Sequence, residues 1–204
     1  MIKSCVVIGG GGHAKVLMDV LLLSGVAIQG FLDLSPKEIS LHGKIIPYLG
    51  TDEEFLENQN SKNVMFVNGV GSTGNPEKRR NVFKRFKAAG YTLMTVIHPS
   101  AVIAKDITLG EGVQIMAGAV IQTGSVIGHN VIINTRASVD HDCRIEDHVH
   151  IAPGAVLSGN VTVEENAHIG TGASIVQGIQ IPAGTLVKAG SAVTHRYSTE
   201  STIR

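Results

Sequence analysis

Three features are scarce in this chain of 204 residues: net charge, cysteine and long apolar runs. The 17 Lys and Arg balance the 17 Asp and Glu, which argues against nucleic acid or a strongly anionic surface as the main partner. The only long apolar run near the start, residues 16–26, contains Asp19, is too short to cross a bilayer and lacks the basic lead-in of a signal peptide. We therefore expect a cytoplasmic protein without a membrane span.

Only two cysteines are present, Cys5 and Cys143. Cys5 falls in a predicted strand, and Cys143 falls at an inward position of the repeat described next. We interpret both as small buried residues rather than as a disulfide pair.

A six-residue period runs through the second half of the chain. Every sixth residue from Ile97 is Ile, Leu or Val, without a skip, and the position four residues further on is usually small or β-branched. A period of six fits neither a helix nor a simple strand; it is typical of the hexapeptide repeat of a parallel β-helix, in which each hexad forms a short strand and a turn. The aliphatic positions are Ile97, Ile103, Leu109, Ile115, Ile121, Ile127, Ile133, Val139, Ile145, Ile151, Leu157, Val163, Ile169, Ile175, Ile181, Val187 and Val193.

The repeat also predicts which side chains are neighbours in space. Three strands per coil make a coil of eighteen residues, so residues eighteen apart in sequence should stack. This step places Gly159 above His141 at a corner of the coil, where the missing side chain should leave a channel beside the imidazole. It also stacks His150 and His168 on one outer face.

Residues 1–95 alternate predicted strands and helices, which indicates a small α/β domain with a parallel sheet. It is Rossmann-like, but about ninety residues are too few for a two-half dinucleotide fold, which weighs against an NAD-dependent dehydrogenase. We interpret the basic side chains of the last helix, Arg79 among them, as a solvated face rather than a phosphate site. The predicted strands are 4–8, 28–32, 44–49, 64–70 and 91–96, and the helices are 14–24, 52–57 (capped by Thr51) and 75–89.

A glycine loop joins the first strand to the first helix. Gly9, Gly11 and Ala14 match the G-x-G-x-x-A form of the dinucleotide fingerprint, in which glycines let backbone N–H groups approach an anion. Asp33 follows the second strand, where an acidic residue contacts a ribose or base in such folds. The alternative is a tight turn that binds no ligand.

Four motifs carry a resemblance that covers nearly the whole chain: VVIGGGGHAKV at 6–16, FLD at 31–33, HPSA at 98–101 and ASVDHDC at 137–143. With them the chain resembles the hexapeptide-repeat sugar acetyltransferases of the NeuD/PglD type. These include nucleotide-linked 4-amino-sugar N-acetyltransferases and sialic acid O-acetyltransferases. The resemblance implies a left-handed β-helix over residues 96–194, a homotrimer and acetyl-CoA as co-substrate. Residues 195–204 are expected to form a polar tail.

The resemblance also implies roles for residues of the repeat. In the family a turn histidine followed by an acidic residue is the catalytic base with its partner, which implies these roles for His141 and Asp142. The family often has Glu at the second position, and Asp is one methylene shorter. The channel beside Gly159 would accept the pantetheine arm, and the N–H of His150 would lie near the acetyl carbonyl.

In the amino-terminal domain the resemblance implies a site for the nucleotide of the sugar substrate. The matching positions are Gly11, Gly12, His13, Lys15 and Asp33. Lys15 lies one turn into the helix, and the alternative is that its side chain is solvated and does not bind the nucleotide.

The histidine-rich repeat has two alternative chemistries, a metal site and a cysteine nucleophile. The His148-x-His150 pair could place two imidazoles on one face, but no cysteine or carboxylate cluster completes a tetrahedral set, so we predict no metal. Cys143 next to His141 could form a nucleophilic pair, but an inward thiol cannot reach a substrate.

The sequence therefore favours an acetyl-CoA-dependent N-acetyltransferase that acts on the 4-amino group of a nucleotide-linked deoxy-amino sugar. A sialic acid O-acetyltransferase is the nearest alternative, because nothing in the residues decides between an amine and a hydroxyl acceptor. A non-catalytic, nucleotide-binding trimeric scaffold is the alternative from another class.

Overall fold

The computed structural model describes residues 4–58, 64–73 and 75–195. These residues form two compact units: the described parts of 1–71 and 78–96 make the first, and those of 72–77 and 97–204 make the second. The predicted tail lies outside the described residues except for His195. No helix in the described ranges is both long enough and apolar enough to cross a bilayer.

The amino-terminal part contains a four-stranded parallel sheet in the order β2-β1-β5-β6. The apolar, β-branched residues of β1 are almost completely buried, as expected for a central parallel strand. The elements in chain order are β1 (Ser4–Ile8), α1 (Gly12–Leu23), β2 (Ala27–Leu32), β3 (Ile39–Leu41), β4 (Lys44–Ile46), α2 (Asp52–Glu57), β5 (Met65–Asn68), α3 (Glu77–Ala88) and β6 (Thr92–Leu93).

The predicted cap of α2 is confirmed. The Thr51 hydroxyl accepts a hydrogen bond from the N–H of Glu54 at 3.1 Å, and the Glu54 carboxylate accepts one from the N–H of Thr51 at 2.8 Å. This reciprocal pair is a capping box.

Two predicted strands are wrong in their extent. The segment predicted as strand 44–49 is strand only at Lys44–Ile46, which pairs antiparallel with Ile39–Leu41 across a two-residue turn. His42 and Gly43 in that turn both have positive φ, of 50° and 71°, as a tight hairpin requires. Similarly, the segment 91–96 divides, because Thr92–Leu93 pairs with β5 whereas Val96 begins a strand of a different sheet.

Arg79 corrects the interpretation of a wholly solvated basic face. The residue is 1% exposed, and its Nη1 donates to the carbonyl oxygens of Asn68 at 2.9 Å and Val70 at 2.8 Å. Burial lowers the pKa of Arg79 to about 9. The inward stripe of the same helix is as predicted, with Phe83 and Phe86 buried in the core.

The second unit is a parallel β-solenoid of about five turns, built from seventeen two-residue strands in three sheets. In every sheet, paired residues are eighteen apart, which confirms the coil length read from the sequence. The strands are β7 (Val96–Ile97), β8 (Val102–Ile103), β9 (Thr108–Leu109), β10 (Gln114–Ile115), β11 (Val120–Ile121), β12 (Val126–Ile127), β13 (Ile132–Ile133), β14 (Ser138–Val139), β15 (Arg144–Ile145), β16 (His150–Ile151), β17 (Val156–Leu157), β18 (Thr162–Val163), β19 (His168–Ile169), β20 (Ser174–Ile175), β21 (Gln180–Ile181), β22 (Leu186–Val187) and β23 (Ala192–Val193).

The repeated aliphatic residues form one continuous core inside the solenoid. From Ile115 to Val193 each is no more than 2% exposed. The expectation of an inward, buried side chain is wrong at Ile97, which is 40% exposed. Ile103 and Leu109 are only partly buried, because the first coil of a solenoid has no coil stacked on its open side.

Candidate functional site

The turn that carries His141 and Asp142 lies at one corner of the solenoid. Asp142 has φ of 58°, a left-handed conformation that Asp and Asn tolerate better than most residues. Gly124 and Asn160, one coil on either side, have φ of 72° and 55°. The corner is therefore a ladder of left-handed residues, and Asp142 fits it because of its short polar side chain.

His141 and Asp142 form a hydrogen-bonded pair. Nδ1 of His141 lies 2.8 Å from Oδ2 of Asp142. An ionised carboxylate can only accept, so Nδ1 carries the proton and Nε2 of the neutral ring keeps its lone pair. The side chains of His141 and Asp142 are 46% and 65% exposed, and within the described residues Nε2 makes no hydrogen bond. The pair thus holds the imidazole in one orientation at a partly exposed corner.

The electrostatics of this corner favour the protonated imidazole. The hydrogen bond to Asp142 is the main cause that raises the pKa of His141 above its ordinary value, and the charges of Asp140 and Asp142 act in the same direction. Partial desolvation opposes the shift. A base with a raised pKa accepts a proton more readily, and it is active only at pH values above that pKa.

Gly159 lies over the imidazole, as the eighteen-residue step predicts. A Cβ atom built on Gly159 would lie 2.5 Å from Cε1 and 3.0 Å from Cδ2 of His141. The ring occupies the space that the missing side chain leaves, and a channel beside the ring stays a prediction. The glycine is needed for His141 to adopt its position.

His150 is held from both sides of its ring. Nδ1 donates to the carbonyl oxygen of Ser72 at 2.8 Å, and the Ser72 hydroxyl lies 3.1 Å away. The Asn134 amide donates to Nε2 at 3.0 Å, and its orientation is fixed because its oxygen accepts the N–H of Thr135 at 2.8 Å. His150 is therefore a neutral imidazole with its proton on Nδ1, and it is only 8% exposed.

His168 stacks on His150, as predicted, and both residues are buried. The two rings meet edge to face with centroids 4.7 Å apart, and His168 is 9% exposed. Its Nδ1 is buried and has no hydrogen-bond partner within the described residues. Burial lowers the pKa of His168, and the backbone of Ser72 offsets part of that shift.

Cys143 has the inward, inert position expected for it. The residue is 1% exposed, and its Sγ donates to the carbonyl oxygen of Ser158 at 3.2 Å. Burial is the main cause that raises the pKa of the thiol, so little thiolate forms near neutral pH. Cys5 is likewise buried, and neither cysteine is in a disulfide.

In the first unit, Asp33 is bound to the glycine loop. Its Oδ2 accepts from the N–H of Gly10 at 2.7 Å and from Nζ of Lys37 at 2.8 Å, and its Oδ1 accepts from the N–H of Leu34 at 2.7 Å. Burial alone would raise the pKa of Asp33, but these hydrogen bonds together lower it. Asp33 therefore supports the loop, whether or not it also contacts a ligand.

The start of α1 is open for an anion. Gly11 and Gly12 are exposed, and a Cβ on either would meet nothing within 4 Å. Gly11 is the N-cap and supplies no side-chain cap, so the first N–H groups of the helix lack that partner. His13 is half-buried and Lys15 is exposed on the first turn. A helix start of this kind favours a phosphate.

The structure thus brings His141, Asp142 and Gly159 together at one corner, and it surrounds His150 with partners that sequence reasoning missed. Ser72 could not have been found from the repeat, because it is 78 residues away in the sequence. The ion pair between Lys37 and Asp33 could have been found from the sequence, because the two residues have i, i+4 spacing. Across residues 4–58, 64–73 and 75–195 no three His, Cys, Asp or Glu side chains are grouped in a way that could hold a metal ion.

Two sequence families match this chain. Residues 4–86 match the PglD N-terminal domain, and residues 124–159 match the bacterial transferase hexapeptide of six repeats. The two matched segments lie in the amino-terminal part and in the solenoid that carries His141.

Solved structures extend the likeness to nearly the whole chain. A histidine-to-asparagine variant of perosamine N-acetyltransferase from Caulobacter crescentus, in complex with CoA and GDP-perosamine, is 36% identical with a TM-score of 0.87. The similarity covers 96% of this chain and 90% of that one. The acetyltransferase domain of PglB from Neisseria gonorrhoeae, in complex with acetyl coenzyme A, is 36% identical with a TM-score of 0.83, covering 94% and 92%.

A curated relative gives a shorter match. UDP-N-acetylbacillosamine N-acetyltransferase from Bacillus subtilis is 39% identical over 117 residues, which is 56% of this chain and 52% of the relative. The aligned part thus spans about half the length of that protein.

Proposed function

The chain belongs to the PglD-type hexapeptide-repeat sugar acetyltransferases, and we propose that it transfers the acetyl group of acetyl-CoA to the 4-amino group of a nucleotide-linked deoxy-amino sugar. The observation that carries the proposal is the corner at His141. There, an exposed imidazole has one nitrogen held by a carboxylate and the other nitrogen available to a substrate. The relatives that bind GDP-perosamine and acetyl coenzyme A support both substrate classes.

In the proposed reaction His141 is the general base. Its Nε2 accepts the proton that the amine nitrogen loses as that nitrogen attacks the carbonyl carbon of the thioester. The carbon–sulfur bond then breaks, and the departing sulfur takes the proton from the imidazolium. Asp142 keeps the ring oriented and stabilises its protonated form. The products are an amide and the CoA thiol, and no acyl-enzyme forms.

His150 and Gly159 are proposed to line the path of acetyl-CoA. Gly159 keeps the ring of His141 in place, as its steric relation to that ring requires. The proton of His150 is donated to Ser72, so His150 can polarise the acetyl carbonyl only after a change of tautomer or protonation. The donor role of His150 therefore stays a prediction.

The nucleotide is proposed to bind at the start of α1. Gly11 and Gly12 leave room for a diphosphate beside the first N–H groups of the helix, and Lys15 supplies a positive charge one turn away. His13 and Asp33 would contact the same ligand. A homotrimer and a cytoplasmic location also stay predictions.

The proposal is tested by replacing His141 with Asn and measuring acetyl transfer by mass spectrometry. We expect a loss of about 100- to 10,000-fold, the range by which a general base accelerates such reactions. The matched control is His42→Asn, because His42 is also exposed and paired with a carboxylate, that of Asp19 at 2.6 Å. Near-wild-type transfer by His141→Asn would exclude His141 as the base.

A further inference from the structure

Ser125 is a hydroxyl in the apolar interior of the solenoid. It is 0% exposed and belongs to an inward ladder whose members are eighteen residues apart. The other positions of this ladder carry no hydroxyl or charge, and Ser125 stacks directly beneath Cys143, the residue that closes the turn of His141 and Asp142. The ladder consists of Ile107, Ser125, Cys143, Val161 and Ile179.

At another corner of the solenoid, turns are closed by a direct backbone hydrogen bond. The N–H of Ala137 donates to the carbonyl of Asn134 at 3.0 Å, and the N–H of Ala155 donates to the carbonyl of Ala152 at 3.2 Å. Each bond joins the first and fourth residues of a turn, as in an ordinary hydrogen-bonded β-turn. Such a turn is closed without help from another coil.

The turn from Asp140 to Cys143 is closed differently. The N–H of Cys143 donates to the hydroxyl oxygen of Ser125 at 3.2 Å, and the same hydroxyl donates to the carbonyl oxygen of Asp140 at 2.9 Å. The Ser125 hydroxyl therefore bridges the two backbone groups at the ends of this turn. The hydroxyl fixes both ends of the segment whose two central residues are His141 and Asp142.

Gly124, the residue before Ser125, packs against the same turn. A Cβ on Gly124 would collide with Oδ1 of Asp142 and lie 3.4 Å from its Cγ. Gly124 and Ser125 together support the turn. The glycine leaves room for the Asp142 carboxylate, and the serine hydroxyl forms hydrogen bonds with the backbone of Asp140 and Cys143.

We propose that Ser125 is a positioning residue that sets the orientation of the His141–Asp142 pair through the backbone of their turn. This inference rests on the proposed role of His141 as base. Without the hydroxyl, the turn would lose both of these bonds. This loss would let the imidazole rotate away from the geometry in which Nε2 faces the amine, and it would weaken the hydrogen bond to Asp142.

The test compares Ser125→Thr with Ser125→Val, two variants of nearly equal shape that differ in the hydroxyl. Val is acceptable for packing, because Val113, Val131 and Val149 occupy the equivalent place in other hexads. We expect Ser125→Val to lower kcat about 10- to 100-fold, the scale of a small misplacement of a catalytic group. The KM values should change little. Ser125→Thr should keep most of the activity.

The pH profile separates positioning from a general loss of structure. Because the bond to Asp142 raises the pKa of His141, a displaced ring should move the acidic limb of kcat/KM in Ser125→Val towards lower pH. The control is Ser191→Ala, which removes a buried hydroxyl at the equivalent hexad place in the last coil and should leave rate and profile unchanged. Thermal unfolding and gel filtration of each variant monitor folding.

Three outcomes would overturn the inference. The first is a Ser125→Val enzyme with wild-type kcat and pH profile, and the second is a Ser125→Thr enzyme as impaired as Ser125→Val. The third is failure of both Ser125→Val and the smaller Ser125→Ala to fold, which would make the hydroxyl a requirement of folding alone. Full activity of His141→Asn would instead refute the proposed function, so the two failures are distinguishable.

Discussion

The two nitrogens of the His141 imidazole have different surroundings, and the proposed role of the residue as a base depends on this difference. Nδ1 is bonded to Asp142, whereas Nε2 lies at the exposed corner under Gly159. An exposed ion pair of this kind adds little to the stability of the protein. Its effect is on the tautomer, the orientation and the pKa of the base.

The first prediction at the residue scale concerns Asp142→Asn. Asn tolerates the left-handed backbone at this position and can still accept the Nδ1 proton, but it carries no charge. The pKa of His141 should therefore fall towards its ordinary value of about 6.5. Because the unprotonated ring is the active form in the proposed reaction, the acidic limb of kcat/KM should move to lower pH. The measurement is kcat/KM from pH 5 to 9, with Asp19→Asn as control; an unmoved limb would contradict the electrostatic role of Asp142.

A second prediction concerns the contact between Gly159 and His141. In Gly159→Ala the new methyl group would overlap the imidazole, so we expect a loss of about 1–3 kcal/mol in the free energy of unfolding and a loss of activity. In the His141→Ala background the same substitution should cost far less, because the ring is gone. Equilibrium unfolding of both single variants and of the double variant gives the coupling energy. Strict additivity would show that the ring does not occupy this space.

At the scale of elements, the solenoid is a set of ladders, and the ladder through β13, β16, β19 and β22 contains two buried histidines. It carries Ile132, His150, His168 and Leu186 at successive coils. His150 has partners on both ring nitrogens, whereas Nδ1 of His168 has none in the described chain. The two stacked rings therefore tolerate added charge poorly.

We predict that His168 makes the solenoid less stable in acid. Burial holds its pKa in the folded state below the ordinary value of about 6.5 that it has in the unfolded chain. The unfolded state therefore binds the proton more tightly, and stability falls as pH drops below about 6.5. His168→Leu, which matches the neighbouring Leu186, should reduce the fall in Tm between pH 7.5 and 5.5. His42→Asn is the control at an exposed histidine, and an equal fall in wild type and His168→Leu would contradict the prediction.

The elements differ in how far their sequences predicted them. The solenoid strands followed from the period, because eighteen residues make a whole coil and the register then repeats without drift. In the amino-terminal part, the β3–β4 hairpin was missed because its turn is His42-Gly43 rather than a frequent turn pair such as Asn-Gly. Arg79 was misjudged because its spacing on α3 gives no sign of the carbonyl groups that surround it.

The candidate site was predictable to the extent that its residues are related by the period. His141 and Asp142 are adjacent in sequence, and Gly159 follows one coil later, so their meeting could be expected. The position of the ring over the glycine depends on a side-chain rotamer, which no spacing encodes. The Ser72 carbonyl that binds His150 comes from a segment outside the repeat. The two hydrogen bonds of the Ser125 hydroxyl depend on the local conformation of the turn from Asp140 to Cys143.

At the scale of the whole molecule, the chain combines a parallel α/β unit with a β-solenoid, and relatives of known structure share this combination over at least 90% of their own length. In the proposed function the nucleotide binds at the start of α1, and acetyl transfer takes place at the corner that carries His141. Each part has its own support: an open helix start in the first and an oriented base in the second.

The most direct test of the central claim is acetyl transfer by the full chain to defined acceptors. The protein is incubated with acetyl-CoA and a panel of UDP-, dTDP- and GDP-linked 4-amino sugars, together with free and CMP-linked sialic acid. Mass spectrometry reports the gain of an acetyl group, and hydroxylamine treatment distinguishes a stable amide from a labile ester. We predict one hydroxylamine-stable acetyl group on a nucleotide-linked amino sugar. Acetylation of sialic acid as a labile ester, or no consumption of acetyl-CoA with any acceptor, would contradict the proposed function.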